Sequence, residues 1–170
     1  MARNIEIKAK IHQLDSVKRI AEQLCGHLPE QIKQEDIFFP VAQGRLKLRI
    51  LSPSSGELIF YQRDDTSGPK TCTYQIVETD RPYELRSVLG AAYGEAIIVR
   101  KTRLLYLVGR TRIHVDNVEG LGDFMELEVM LDDNENTQAG ENEARDLMQK
   151  LGIEDNDLVE GAYADLLADT

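Results

Sequence analysis

Gly44-Arg45-Leu46-Lys47-Leu48-Arg49-Ile50-Leu51 alternates cations with aliphatic residues. In a β-strand residues i, i+2 and i+4 share one face, so this stretch aligns Arg45, Lys47 and Arg49 roughly 7 Å apart with no anion between them. An ordinary solvated strand face mixes Thr, Ser, Gln, Lys and Glu, whereas three like charges in file require something anionic above them. Five further stretches repeat the alternation with charges sorted by sign: Glu6-x-Lys8-x-Lys10, Tyr61-x-Arg63, Lys101-x-Arg103, Arg112-x-His114-x-Asp116 and Glu126-x-Glu128. Each predicts a strand with one apolar and one charged face.

Working outward, the pattern predicts strands over Arg3–Ile11, Ile32–Phe39, Arg45–Leu51, Glu57–Arg63, Thr71–Glu78, Ala96–Val108, Thr111–Asn117 and Phe124–Leu131. Asp15 is the expected cap of a first helix whose stripe is Val17, Ile20, Ala21 and Leu24, stopped by Gly26. Asp80 and Pro82 open a second, with Leu85, Val88, Leu89 and Ala92 as its buried stripe. Helical spacing returns at Ala144, Leu147, Met148 and Leu151, then at Leu158, Ala162, Leu166 and Leu167. The polar loop from Asp64 through Asp65 to Lys70 is long enough to fold over a ligand. Eight antiparallel strands with one charged face fit an open sheet with water on one side, or a closed barrel with the charge inside. Sorting by sign favours the barrel, because a lumen holding both Arg/Lys clusters and a Glu-x-Glu pair is organised as a binding tunnel.

The chain of 170 residues is read as a single domain over 1–170. It has no apolar run of the ~18 residues that span a bilayer, and Met1–Lys10 lacks a signal-peptide core, so a cytoplasmic protein with no membrane partner is expected. Cys25 and Cys72 have neither CxxC nor Cys/His spacing, which argues against a zinc site or a disulfide framework. A net charge of -10 argues against DNA as a partner. That charge is uneven: residues 45–112 hold twelve Lys/Arg and seven Asp/Glu, whereas 113–170 hold two and seventeen. The basic middle coincides with the alternating strands.

Lys8, Arg45, Lys47, Arg49, Arg63, Lys101, Arg103 and Arg112, with Lys70 from the loop, form the candidate cationic set. Arg offers a planar fork to phosphate oxygens and Lys a point charge, so convergence on this scale suits a triphosphate better than a single carboxylate. Glu6, Glu126 and Glu128 form the acidic set, with Asp116 in register nearby. Carboxylates at i and i+2 on one strand, joined by another from a second strand, can hold Mg²⁺ or Mn²⁺ and leave coordination positions open for phosphates. His114 shares a face with Arg112 and Asp116, while His12 and His27 fall at element ends. No Gly-rich phosphate loop is present: Gly120-Leu121-Gly122 matches neither GxxxxGK[ST] nor GxGxxG.

These residues resemble the CYTH superfamily, the triphosphate tunnel metalloenzymes. The likeness is carried by Asn4-Ile5-Glu6-Ile7-Lys8, similar to the family's ExExK, and by Gln34-Glu35-Asp36-Ile37-Phe38-Phe39, Gly44 to Arg49, Tyr61-Gln62-Arg63, Gly68-Pro69-Lys70, Arg112 to Asp116 and Leu121 to Glu128. Tyr163-Ala164-Asp165-Leu166-Leu167 looks like the class IV adenylyl cyclase branch. The resemblance implies an α+β fold: an eight-stranded antiparallel β-barrel with flanking helices. It implies an enzyme converting ATP to cyclic AMP and pyrophosphate, or an inorganic tripolyphosphatase or thiamine or nucleoside triphosphatase. A non-catalytic polyphosphate or nucleotide binder is a third alternative. Glu6, Glu126 and Glu128 are then the ligands of Mg²⁺ or Mn²⁺, the cationic set binds the triphosphate of ATP or tripolyphosphate, and Lys8 and Asp116 serve the chemistry. Asn4 stands where the first Glu of ExExK would be, removing one metal ligand, and Phe38 stands where many relatives have Tyr, removing a hydroxyl. The apolar C-terminal helices suggest a homodimer.

Overall fold

The computed structural model describes residues 1–64 and 66–170; Asp65, within the loop expected to fold over a ligand, lies outside the described residues. Eight strands, β1 (Ala2–Lys10), β2 (Glu30–Phe39), β3 (Arg45–Ser52), β4 (Ser55–Arg63), β5 (Lys70–Thr79), β6 (Ile97–Val108), β7 (Thr111–Val118) and β8 (Gly122–Leu131), close into one antiparallel barrel. Around it the order is β1-β5-β4-β3-β2-β6-β7-β8, and β8 returns to β1 with Glu6 opposite Glu128 and Lys8 opposite Glu126. The closed alternative is therefore the one adopted. Closure removes the edge strands an open sheet would expose.

The barrel turns its apolar face outward and its charged face inward. Ile5, Ile7, Leu127 and Val129 are fully buried beneath α1 (Leu14–Cys25) and α3 (Thr137–Lys150), each contributing about 1.5–3 kcal/mol by leaving water. Gly140 permits this contact: a Cβ there would lie 2.7 Å from Leu131 and 2.9 Å from Ile5. A separate cluster packs Ile37, Phe39, Leu48 and Ile50 under α2 (Pro82–Tyr93). A third, including Phe38, Val99, Phe124 and Tyr163, unites inward-facing apolar residues with α4 (Tyr163–Ala168).

Three local expectations differ from the structure. Gln13, not Asp15, precedes α1, and Arg81, not Asp80, precedes α2. Of the expected α2 stripe only Leu85 and Leu89 pack against the barrel, while Val88 is 64% exposed and Ala92 is exposed, because the helix touches the curved sheet along one line. Leu158 is not helical: it bridges Ala9, and Val159 N donates to Lys8 O at 2.9 Å. β1 runs past the last residue paired with β5, and that free edge takes up the returning chain. Leu147, Met148 and Leu151 are buried in the cluster between α3 and the barrel. No helix among the described residues is long and apolar enough to cross a membrane.

Candidate functional site

The lumen is a tunnel of about 780 Å³ with walls of opposite sign. β2, β3 and β6 build the cationic wall. Register sets Asp36 opposite Arg49 on β3 and Val99 on β6, so Lys47 and Lys101 reach it diagonally from either side. Arg49 Nε donates to Asp36 Oδ1 at 2.9 Å, and Arg49 Nη2, Lys47 Nζ and Lys101 Nζ donate to Oδ2 at 2.9, 3.1 and 3.1 Å. Burial alone would raise the Asp36 pKa, but Arg49, Lys101 and Lys47 outweigh it and hold the carboxyl well below its usual range. Burial lowers the Lys101 amine to about 7, with Arg103, Arg49 and Lys47 adding to the shift and Asp36 opposing it. Next to this cluster Arg103 grips Asp116 with two bonds of 2.7 Å, and Tyr163 Oη donates to Asp116 Oδ2 at 2.8 Å.

β1, β7 and β8 build the acidic wall. Glu126 and Glu128 face His114, whose Nδ1 stands 3.7 Å from Glu126 Oε2 and 3.9 Å from Glu128 Oε1. One donor atom from each of the three lies within 4.8 Å of the others. Glu6, opposite Glu128, sits one strand away and accepts from Arg63 Nη1 at 2.9 Å. Burial, then repulsion from Glu128 and Glu126, raises the Glu6 carboxyl pKa against the pull of Arg63. Glu126 moves the other way: Lys8 and Arg103 overcome its burial and hold it well below the ordinary range. Lys8 Nζ donates to Gly161 O at 2.9 Å and lies 3.7 Å from Glu126 Oε1, and burial brings its amine down to about 8.

Among the described residues, buried polar atoms without a hydrogen-bond partner show what the lumen lacks. They include Arg63 Nε and Nη2, His114 Nδ1 and Asn4 Oδ1. A buried donor left unmade costs about 1–3 kcal/mol, more when charged, so the idle guanidinium nitrogens of Arg63 fit an anion. The orphaned imidazole nitrogen beside two carboxylates fits a divalent cation. Imidazole with carboxylate oxygens suits Mn²⁺, and the carboxylates alone suit a partly hydrated Mg²⁺.

The structure thus gathers Lys8, Lys47, Arg49, Arg63, Lys101, Arg103, Glu6, Glu126 and Glu128 around one cavity, with exposed Arg112 at its lining. Asp116 has both oxygens engaged and is fully buried. Arg45 is placed differently: it forms a two-bonded pair with Asp165, at 3.0 and 2.7 Å, beside α4. Lys70 begins β5 rather than ending a loop, is buried, and donates to Thr66 O at 2.8 Å. The sequence reading missed Asp36 and Tyr163. The signal for Asp36 was its i+2 spacing from Gln34 and Phe38 on β2, but only register shows the three cations around it.

A family model described as the CYTH domain matches residues 2–163. A protein of Aeromonas hydrophila named adenylate cyclase CyaB is 26% identical over 95% of this chain and 87% of its own. The solved structure of PH1012 protein from Pyrococcus horikoshii OT3 has a TM-score of 0.83 at 21% identity, covering 96% of this chain and 98% of that one. A chain of the Schizosaccharomyces pombe Mediator head module has a TM-score of 0.63 at 9% identity, covering 88% and 94%. These two structural likenesses are likenesses of fold.

Proposed function

The chain belongs to the CYTH domain family, and on that premise we propose that it is a divalent-metal-dependent enzyme acting on a triphosphate, with conversion of ATP to cyclic AMP and pyrophosphate as its reaction. The observation that carries this reading is the pair of facing orphans: Arg63 Nε and Nη2 want an anion, and His114 Nδ1 beside Glu126 and Glu128 wants a cation. A metal-bound triphosphate satisfies both. The name of the Aeromonas hydrophila relative supports cyclisation as the reaction.

In that reaction the ribose 3′-oxygen bonds to the α-phosphorus, the bond from that phosphorus to the α–β bridging oxygen breaks, and pyrophosphate departs with the electron pair. The hydroxyl proton passes to a base. Lys8, Lys47, Arg49, Arg63, Lys101 and Arg103 hold the phosphates and stabilise the charge that develops on them. Arg112 joins them at the exposed part of the lining. Asp116, closed by Arg103 and Tyr163, orients Arg103 rather than exchanging a proton. Glu126, Glu128 and His114, with Glu6 beside them, would hold Mn²⁺ or Mg²⁺, which supplies Lewis-acid polarisation of the phosphate.

Incubation of the purified protein with Mn²⁺ and ATP, tripolyphosphate or thiamine triphosphate tests the proposal. Cyclic AMP with pyrophosphate is the expected outcome. Orthophosphate from tripolyphosphate without cyclic product overturns cyclisation and makes the protein a triphosphatase. Tight binding with all three substrates intact makes it a binding module.

A further inference from the structure

The densest knot of buried charge in the tunnel is centred on Asp36, an acid within the wall that should attract phosphates. We propose that Asp36 is a positioning residue of the triphosphate site: a resident carboxylate that gathers Lys47, Arg49 and Lys101 from two flanking strands and leaves their remaining N–H groups for the ligand. The inference rests on the triphosphate reading above.

A carboxylate accepts about four hydrogen bonds. Asp36 receives four, from Arg49 Nε and Nη2, Lys47 and Lys101, all at 2.9–3.1 Å, and it is 1% exposed. Three of them fall on Oδ2 and one on Oδ1, so its charge is committed to these three cations. Each lysine has committed one of its three donors to Asp36, and all three cations line the cavity. Around Lys101 the facing groups are Arg103 on its own strand, Arg49 and Lys47 from β3, the Tyr163 ring at 5.5 Å, and two carboxylates, Asp36 in a direct ion pair at 3.1 Å and Asp116 on β7, which is itself held by Arg103. Without Asp36 these buried cations would face one another, and desolvation with mutual repulsion would drive protons from the lysines.

The competing expectation has the opposite sign. If Asp36 merely places a negative charge near the phosphates, its removal should tighten binding. Calorimetric titration with tripolyphosphate and Mg²⁺ at pH 7 separates the two. Asp36→Asn should bind at least tenfold more weakly than the unmodified protein, and part of the loss should return at pH 5.5, where the lysines recharge. Asp36→Glu should recover part of the affinity at pH 7. Equal or tighter binding by Asp36→Asn overturns the proposal. Should that variant fail to fold, Lys101→Met keeps Asp36 bound to Lys47 and Arg49 and should weaken binding several-fold; unchanged affinity overturns the proposal equally. If the unmodified protein takes up no tripolyphosphate, the triphosphate reading itself fails. The role of Asp36 is then read from a ¹⁵N titration of the Lys101 amine, whose midpoint must fall in Asp36→Asn, or in Asp36→Ser if Asn does not fold; an unmoved midpoint sinks the proposal.

Discussion

The two walls of the tunnel handle buried charge in opposite ways. On β2, β3 and β6 the cations are already paired, Lys47, Arg49 and Lys101 with Asp36, and Arg103 with Asp116. On β1, β7 and β8 the acids crowd together, Glu6 is pushed toward protonation, and His114 Nδ1 is left without a hydrogen bond. The first wall has its charges paired before any ligand arrives, with N–H groups to spare, and the second does not. Charge alone therefore does not mark where a ligand is required; unsatisfied buried atoms do.

The hardest test of this contrast removes the acidic wall. Glu126→Gln with Glu128→Gln should lower Mn²⁺-dependent turnover by at least about 100-fold, since even partners outside the ligand shell cost 10- to 100-fold. Calorimetry should show Mn²⁺ binding lost as well. The barrel should still melt cooperatively, because Lys8 keeps Gly161 O and Arg103 keeps Asp116 as partners. Full activity in this variant would refute the metal assignment.

Next in size is Arg63. Its hydrogen bonds to a charged ligand are each worth about 1.5–3 kcal/mol, so Arg63→Met should raise the Kd for tripolyphosphate about 10- to 100-fold. An unchanged Kd would mean that Nε and Nη2 do not mark the phosphate position.

The difference between what sequence and structure disclose follows the same line. Alternation alone located all eight strands to within two residues at each end, because inward charge and outward aliphatics repeat every second position. His114 was visible by sharing a face with Arg112 and Asp116. Asp36 was not, since its meaning depends on which strands flank β2, and β6 joins it from more than sixty residues away. Arg45 misled for a related reason. It obeys the strand period, yet its partner Asp165 comes from α4, 120 residues on, and no local pattern announces that contact. The exposed Val88 shows the same limit on a helix, where periodicity names a stripe but not the curvature of the surface beneath it.

A smaller effect separates the walls by pH. The Lys101 amine sits at about 7 in the folded protein, against roughly 10.4 in an unfolded chain. Between those values the folded state binds fewer protons, so stability contributed by this site rises with pH. Unfolding in urea at pH 7 and pH 9 should show the native protein gaining on Lys101→Met at up to about 1 kcal/mol per pH unit. Parallel pH curves would show that the paired wall does not carry this strain.

The smallest expected effect comes from Tyr163→Phe, which tests whether α4 merely closes the cationic wall or helps to shape it. The ring remains, keeping its edge contact with Phe124 at 5.2 Å and its place under Lys8 at 4.3 Å. Only the hydroxyl bond to Asp116 is lost, and Arg103 still occupies both carboxylate oxygens. A net cost of about 1 kcal/mol follows, a fall in Tm of about 2–4 °C for a chain of this size. Tripolyphosphate affinity should not change, because Arg103 keeps both of its bonds to Asp116 and so its place at the lumen. A tenfold loss of affinity would instead place the Asp116–Arg103 pair under control of the C-terminal segment, and the pairing of the cationic wall would then depend on α4 as well as on its own strands.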